Sequence, residues 1–181
     1  SKTPYCVNDL DIISSIFEKG ILLETKSSKV NTLKMEFTEN SEGEIKILES
    51  NIGKVLFKGI NERTYIEIKD SVVENVEFNN FYNYSNIQLN KLCIENLPYP
   101  TFKVIESNLG ETEFMNFNFK NYQSIEIYNS NLTETTFANV TWFKKEQINP
   151  ESKDYKNSRE VFRQLKYSLE KRRRICVDGC K

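Results

Sequence analysis

Ser107-Asn-Leu-Gly-Glu-Thr-Glu-Phe114-Met-Asn116 and Ser130-Asn-Leu-Thr-Glu-Thr-Thr-Phe137-Ala-Asn139 are two versions of one ten-residue phrase. Each opens on serine, places leucine two positions on, and follows that with phenylalanine after five more. Working outward, five segments of this kind stack without a gap: 45–57, 66–78, 87–99, 102–114 and 125–137. Each begins with an apolar-x-apolar triplet, such as Ile45/Ile47, Ile66/Ile68 or Ile125/Ile127. A small residue follows (Ser50, Ser71, Ser107, Ser130, with Leu92 in the third), then an aliphatic one, then an aromatic one: Phe57, Phe78, Tyr99, Phe114, Phe137. The period-two triplets predict strands, and nothing between them has helical length and periodicity. A unit of this size cannot bury its apolar face alone, so it stacks on copies of itself.

The expected architecture is therefore a β-solenoid with isoleucine and phenylalanine columns inside and Glu, Lys and Asn outside. The matched serine positions are 21, 21, 15 and 23 residues apart, and the 15-residue step reads as a shortened coil. It crosses Leu97-Pro98-Tyr99-Pro100, where two prolines cannot donate to a strand ladder.

A five-residue beat runs inside the units: Leu109, Phe114, Phe119; Leu132, Phe137, Trp142; Ile52, Phe57; Val73, Phe78. With Asn51, Asn108 and Asn131 before the aliphatic position, the chain resembles the pentapeptide-repeat family over residues 45–142. That resemblance implies an all-β fold, a right-handed parallel β-helix with one pentapeptide per side. A leucine-rich repeat is the alternative, suggested by LNKLCIENL at 89–97 but not sustained elsewhere.

Short helices are expected as caps at both ends. Residues 8–20 place Leu10, Ile13, Ile16 and Phe17 on one helical face, with Asn8 or Asp9 as N-cap and Gly20 as C-cap. Residues 21–44 complete an irregular first coil, 45–142 carry the repeats, and 143–181 form a linker and an amphipathic basic helix. In that helix, expected over 158–173, Val161, Phe162, Leu165 and Leu169 make the apolar stripe, and Asn157 to Glu160 form a capping box. Its segment SREVFRQLKYSLEK resembles the helical stretch that follows the repeats in longer pentapeptide-repeat proteins.

Composition narrows the function. There is no histidine among 181 residues, which excludes Ser/His/Asp and Cys/His nucleophilic pairs and any histidine metal ligand. Cys6 and Cys93 stand alone, and Cys176 and Cys180 form one wide pair, so free thiols in a reducing, cytoplasmic setting are expected rather than a metal site. Three N-x-[ST] sequons, at Asn83, Asn131 and Asn139, are uninformative in so asparagine-rich a chain. No apolar run is long enough for a transmembrane helix. Aspartates and glycines are too few and scattered for a polysaccharide-cleaving site or a phosphate loop, so an enzyme is not expected and no cofactor is implied.

The expected function is a non-catalytic protein-interaction scaffold or spacer. Tyr82 and Tyr84 in NNFYNYSN are the candidate anchors, unless they pack over a corner. The resemblance adds an alternative, since some bacterial family members mimic DNA and bind a type II topoisomerase. Glu74, Glu111, Glu113 and Glu134, with Glu49, would then form the anionic column, although residues 44–142 carry only 13 acidic against 8 basic residues. Direct nucleic-acid binding is not expected. Lys171, Arg172, Arg173 and Arg174 are candidates for phosphate or peripheral lipid contact, and the terminal stripe could support a homodimer.

Overall fold

The computed structural model describes residues 6–13, 16–25, 28–94, 99–148 and 159–169. They form a parallel β-solenoid of about six turns closed by one short helix. The odd-numbered strands β1 (Cys6–Ile13), β3 (Lys29–Phe37), β5 (Asn51–Asn61), β7 (Val72–Asn83), β9 (Thr101–Ile105) and β11 (Ser124–Tyr128) make the first sheet, in that order. The even-numbered β2 (Ile16–Glu24), β4 (Glu42–Leu48), β6 (Arg63–Lys69), β8 (Ile87–Asn90), β10 (Thr112–Met115) and β12 (Thr136–Ala138) make the second. Every coil thus gives one strand to each sheet, and the inward side chains of both sheets meet in one core.

Ladder register turns the sequence repeats into columns. Met35, Phe57, Phe78, Val104 and Ile127 lie above one another in the first sheet. Leu23, Ile47, Ile68, Leu89, Phe114 and Phe137 do so in the second. Parallel in-register stacking puts like side chains on like, so Phe57 and Phe78 stack at 4.6 Å and 10°. Phe114 and Phe137 stack at 5.4 Å and 10°. Across the core, Phe102 of the first sheet meets the edge of Phe114 of the second at 5.7 Å. The five-residue beat points inward as expected: Leu109, Phe114, Phe119, Leu132 and Phe137 are all buried.

The gap-free alignment of five segments conceals an exchange of sheets. Segments beginning at Ile45, Ile66 and Ile87 enter the second sheet, where they pair in register. Those beginning at Phe102 and Ile125 enter the first sheet, and Phe102 pairs with Val76, not Ile87. Ile87 pairs instead with Thr112, 25 residues on. The 15-residue step is therefore not a shortened coil; the coil there is a long one, 26 residues from Val76 to Phe102 against 21 from Ile45 to Ile66. Tyr99, expected in the aromatic column, is 71% exposed for the same reason.

The two sheet exits look alike because they solve the same problem. Each corner needs one residue at positive φ followed by an inward residue. Glu49-Ser50 and Asp70-Ser71 do this after the second sheet, Glu106-Ser107 and Asn129-Ser130 after the first. Each serine Oγ donates to the carbonyl two residues back, at 2.6–2.9 Å. It also accepts from a backbone N–H of the preceding coil, as Ser71 does from Ser50 N at 3.1 Å and Ser130 from Ser107 N at 3.1 Å. The repeated motif is a corner, and a coil has two of them.

The N-terminal helix is corrected to strand. Residues 8–13 lie in β1 and 16–20 in β2. Leu10 pairs with Leu33 and Ile12 with Met35, and Ile13, placed on the helical face by the 3.6 period, is 51% exposed. Isoleucine-rich sequence favours strand, and an available sheet edge supplies a full ladder where a lone helix would bury only a stripe. Gly20 does adopt positive φ, at +73°, but to accommodate a bulge in β2 and not a helix end. The solenoid thus begins well before residue 45, and residues 29–37 are a regular strand.

At the other end, residues 159–169 form helix α1. Val161, Leu165 and Ser168 face the last coil, while Phe162 and Leu169, expected on the stripe, are exposed. Phe162 still meets Phe143 at 6.1 Å. Gln164 Oε1 accepts from Leu132 N at 2.9 Å, and Ser168 Oγ donates to the Thr135 carbonyl. The cap so satisfies backbone groups that the terminal coil would leave open. Asn157, the Lys171–Arg174 run, Cys176 and Cys180 lie outside the described residues.

Candidate functional site

Tyr82 and Tyr84 are 41% and 58% exposed and project from the C-terminal end of β7. What holds them out is the residue between them. Period-two alternation in Phe81-Tyr82-Asn83-Tyr84 turns Phe81 and Asn83 inward, and Asn83 is 1% exposed. Its Oδ1 accepts from Asn61 Nδ2 (3.0 Å) and Ser85 N (3.3 Å). Its Nδ2 donates to the Ser85 carbonyl (2.7 Å), the Leu109 carbonyl (3.2 Å) and Thr112 Oγ1 (3.2 Å). Asn61, Asn83 and Thr112 thus form a buried polar ladder across three coils, where asparagine was expected only outside.

The glutamates are not brought to one place. Glu74 lies on the first sheet and pairs with Lys29 across β5, where Gly53 presents no side chain. Glu113 lies on the second sheet and accepts from Gln88 Nε2 at 3.3 Å. Glu111 and Glu134 precede β10 and β12 on exposed turns. One outward ladder on the first sheet runs Lys34, Leu56, Glu77, Lys103 and Glu126, and alternates in sign over its last three members. Lys54–Glu77 at 2.6 Å and Lys103–Glu126 at 3.0 Å close ion pairs along that face. Burial alone would raise the Glu77 pKa, but hydrogen bonds from Lys54 and Asn79 outweigh it and hold the carboxyl below its usual range.

Beside Tyr82 runs a cleft of about 350 Å³ between α1 and the corners after β9 and β11. Glu106, Asn108, Asn129 and Asn131 line one wall, Glu160 and Gln164 the other. Glu160 is committed to its own helix: Arg163 donates to it at 2.6 and 2.7 Å and Gln164 at 3.0 Å, which pushes its pKa down to about 2. Asn108 Oδ1 accepts from Gly110 N (3.2 Å), and Asn131 Oδ1 from Thr133 N (3.0 Å) and Oγ1 (2.7 Å). Among the described residues, no group of three or more Cys, Asp or Glu side chains is placed to hold a metal ion.

The sequence points to the tyrosines as outward-facing candidates but not to the cleft or the buried asparagine ladder. The signal for Asn83 was present, since it shares the period-two face of Phe81. The cleft had none, because it needs α1 folded back over corners far away in sequence. No helix among the described residues is long and apolar enough to cross a membrane. No protein family, no curated protein and no solved structure matches the chain.

Proposed function

We propose that the chain is a non-catalytic protein-interaction scaffold built on a pentapeptide-repeat-like solenoid. The observation that carries this reading is the rigid display of Tyr82 and Tyr84 around a buried, five-times hydrogen-bonded Asn83. Aromatic side chains held out at low entropic cost are the usual anchors of protein interfaces. The inward five-residue beat supports the pentapeptide-type description of the repeat. The alternation of lysine and glutamate along the first sheet favours a partner-binding face over imitation of the DNA backbone, which needs a continuous anionic column. The test is quantitative pull-down from a bacterial lysate with the wild-type chain and Tyr82→Ala/Tyr84→Ala. A partner enriched by the first and lost with the second supports the reading; enrichment indifferent to both tyrosines overturns it.

A further inference from the structure

We propose that the cleft between α1 and the corners after β9 and β11 binds a neutral saccharide. Several hydrogen-bonding groups there are still uncommitted. The Asn108 and Asn131 carboxamide oxygens are engaged in their own turns, which leaves each NH2 without a partner among the described residues. The Glu106 carboxylate and the whole Asn129 carboxamide are likewise unpartnered among those residues. Donors and acceptors are therefore interleaved on one wall. A cation would meet the two solvent-facing NH2 groups, and an anion would meet Glu106. A sugar hydroxyl donates and accepts at once, so vicinal hydroxyls complement this mixture. The exposed Tyr82 ring at the rim offers an apolar face with a polar tip, suited to the C–H face of a pyranose. The volume, about 350 Å³, lies at the small end of ligand sites and suits one or two sugar rings. The wall is also firmly held, because corner serines Ser107 and Ser130 fix the backbone on either side of it.

This goes beyond the scaffold reading and stands or falls separately from it. The experiment is a titration of the full isotopically labelled chain with cellobiose, maltose and N,N′-diacetylchitobiose, followed by backbone amide chemical shifts. At least one sugar is expected to give saturable shifts centred on Asn108, Asn129, Asn131 and Gln164. Glu106→Gln keeps the shape, and Asn131→Asp keeps the turn acceptor while removing the NH2; each should weaken binding by about tenfold or more. Leu22→Ser, exposed on β2 and outside the cleft, should leave it unchanged. No saturable shift with any of the three sugars overturns the proposal, and so does binding indifferent to both cleft variants. An oligo-arginine peptide that saturates the same amides more tightly than the sugars would make the cleft a peptide groove and equally overturn it.

Discussion

Asn83→Ala removes the centre of the buried ladder, and its cost can be worked contact by contact. Five hydrogen bonds disappear, but not every partner is orphaned. Asn61 Nδ2 keeps the Thr64 carbonyl at 3.0 Å, and Thr112 Oγ1 keeps the Leu109 carbonyl. Ser85 loses partners on both its N–H and its carbonyl. Those groups are half-buried, so each loss costs about 1 kcal/mol, and the void left by a carboxamide adds about 1 more. The sum, about 3 kcal/mol, should lower Tm by roughly 6–12 °C for a chain of this size. Urea unfolding followed by far-UV circular dichroism gives the same quantity. Tyr84→Ala, two atoms from the ladder along the backbone but solvent-facing, serves as control and should stay within about 0.5 kcal/mol. Asn83→Asp sharpens the test through its pH dependence. Burial raises the folded-state pKa of the new carboxyl, so its stability is retained at low pH and lost as pH rises past about 3.9, the unfolded value. Its deficit against wild type should therefore shrink on acidification. If Asn83→Ala is as silent as Tyr84→Ala, the ladder contributes nothing and the reasoning fails.

Three further outcomes follow from single positions. Gly110 and Gly59 have positive φ, and a Cβ on them would sit 1.9 Å from the Asn83 carbonyl oxygen and 2.0 Å from that of Phe37. Gly110→Ala and Gly59→Ala should each cost about 3 kcal/mol or more by urea titration, against about 1 for Gly20→Ala, whose closest contact is 3.1 Å; equal costs would refute the close approach of coils. The Glu77 pKa is held low, so its stabilising contribution is present above the unfolded value and lost as pH falls through the folded one. Glu77→Gln should destabilise at neutral pH and lose that deficit in acid; a deficit constant with pH would contradict the ion pair with Lys54. Tyr122 is buried, its hydroxyl has no hydrogen-bond partner among the described residues, and burial pushes its pKa up. Tyr122→Phe should be neutral or stabilising by up to about 1 kcal/mol in thermal unfolding, whereas a loss of 2 or more would reveal a hidden partner.

Much of this fold was legible because parallel stacking repeats its chemistry at every level. Inward Ile-x-Ile triplets, the five-residue aromatic beat and the corner serines all stand out as columns in the sequence alone. What misled was the similarity of the two corners. Ser50 and Ser107 make the same local hydrogen bond, yet they leave different sheets, so sequence alignment matched them while ladder pairing does not. The N-terminal strands read as helix because Leu10, Ile13 and Ile16 fit the helical period while Leu10 and Ile12 fit the strand period, and only the neighbouring edge of β3 decides between them. The site was half legible. Alternation exposes Tyr82 and Tyr84, but the cleft depends on α1 meeting two corners more than twenty residues apart, which no local pattern encodes.

The exchange of sheets between the third and fourth segments is the claim on which the columns, the corners and the cleft all depend, and paired cysteines test it directly. With the native cysteines replaced by serine, Gln88→Cys/Glu113→Cys places two thiols side by side on the outer face of the second sheet. Gln88→Cys/Lys103→Cys matches the gap-free alignment but puts the second thiol on the first sheet, beside Glu77. Mild oxidation should cross-link the first pair within the monomer and leave the second free. Cross-linking of the 88/103 pair in preference to 88/113 would contradict the account.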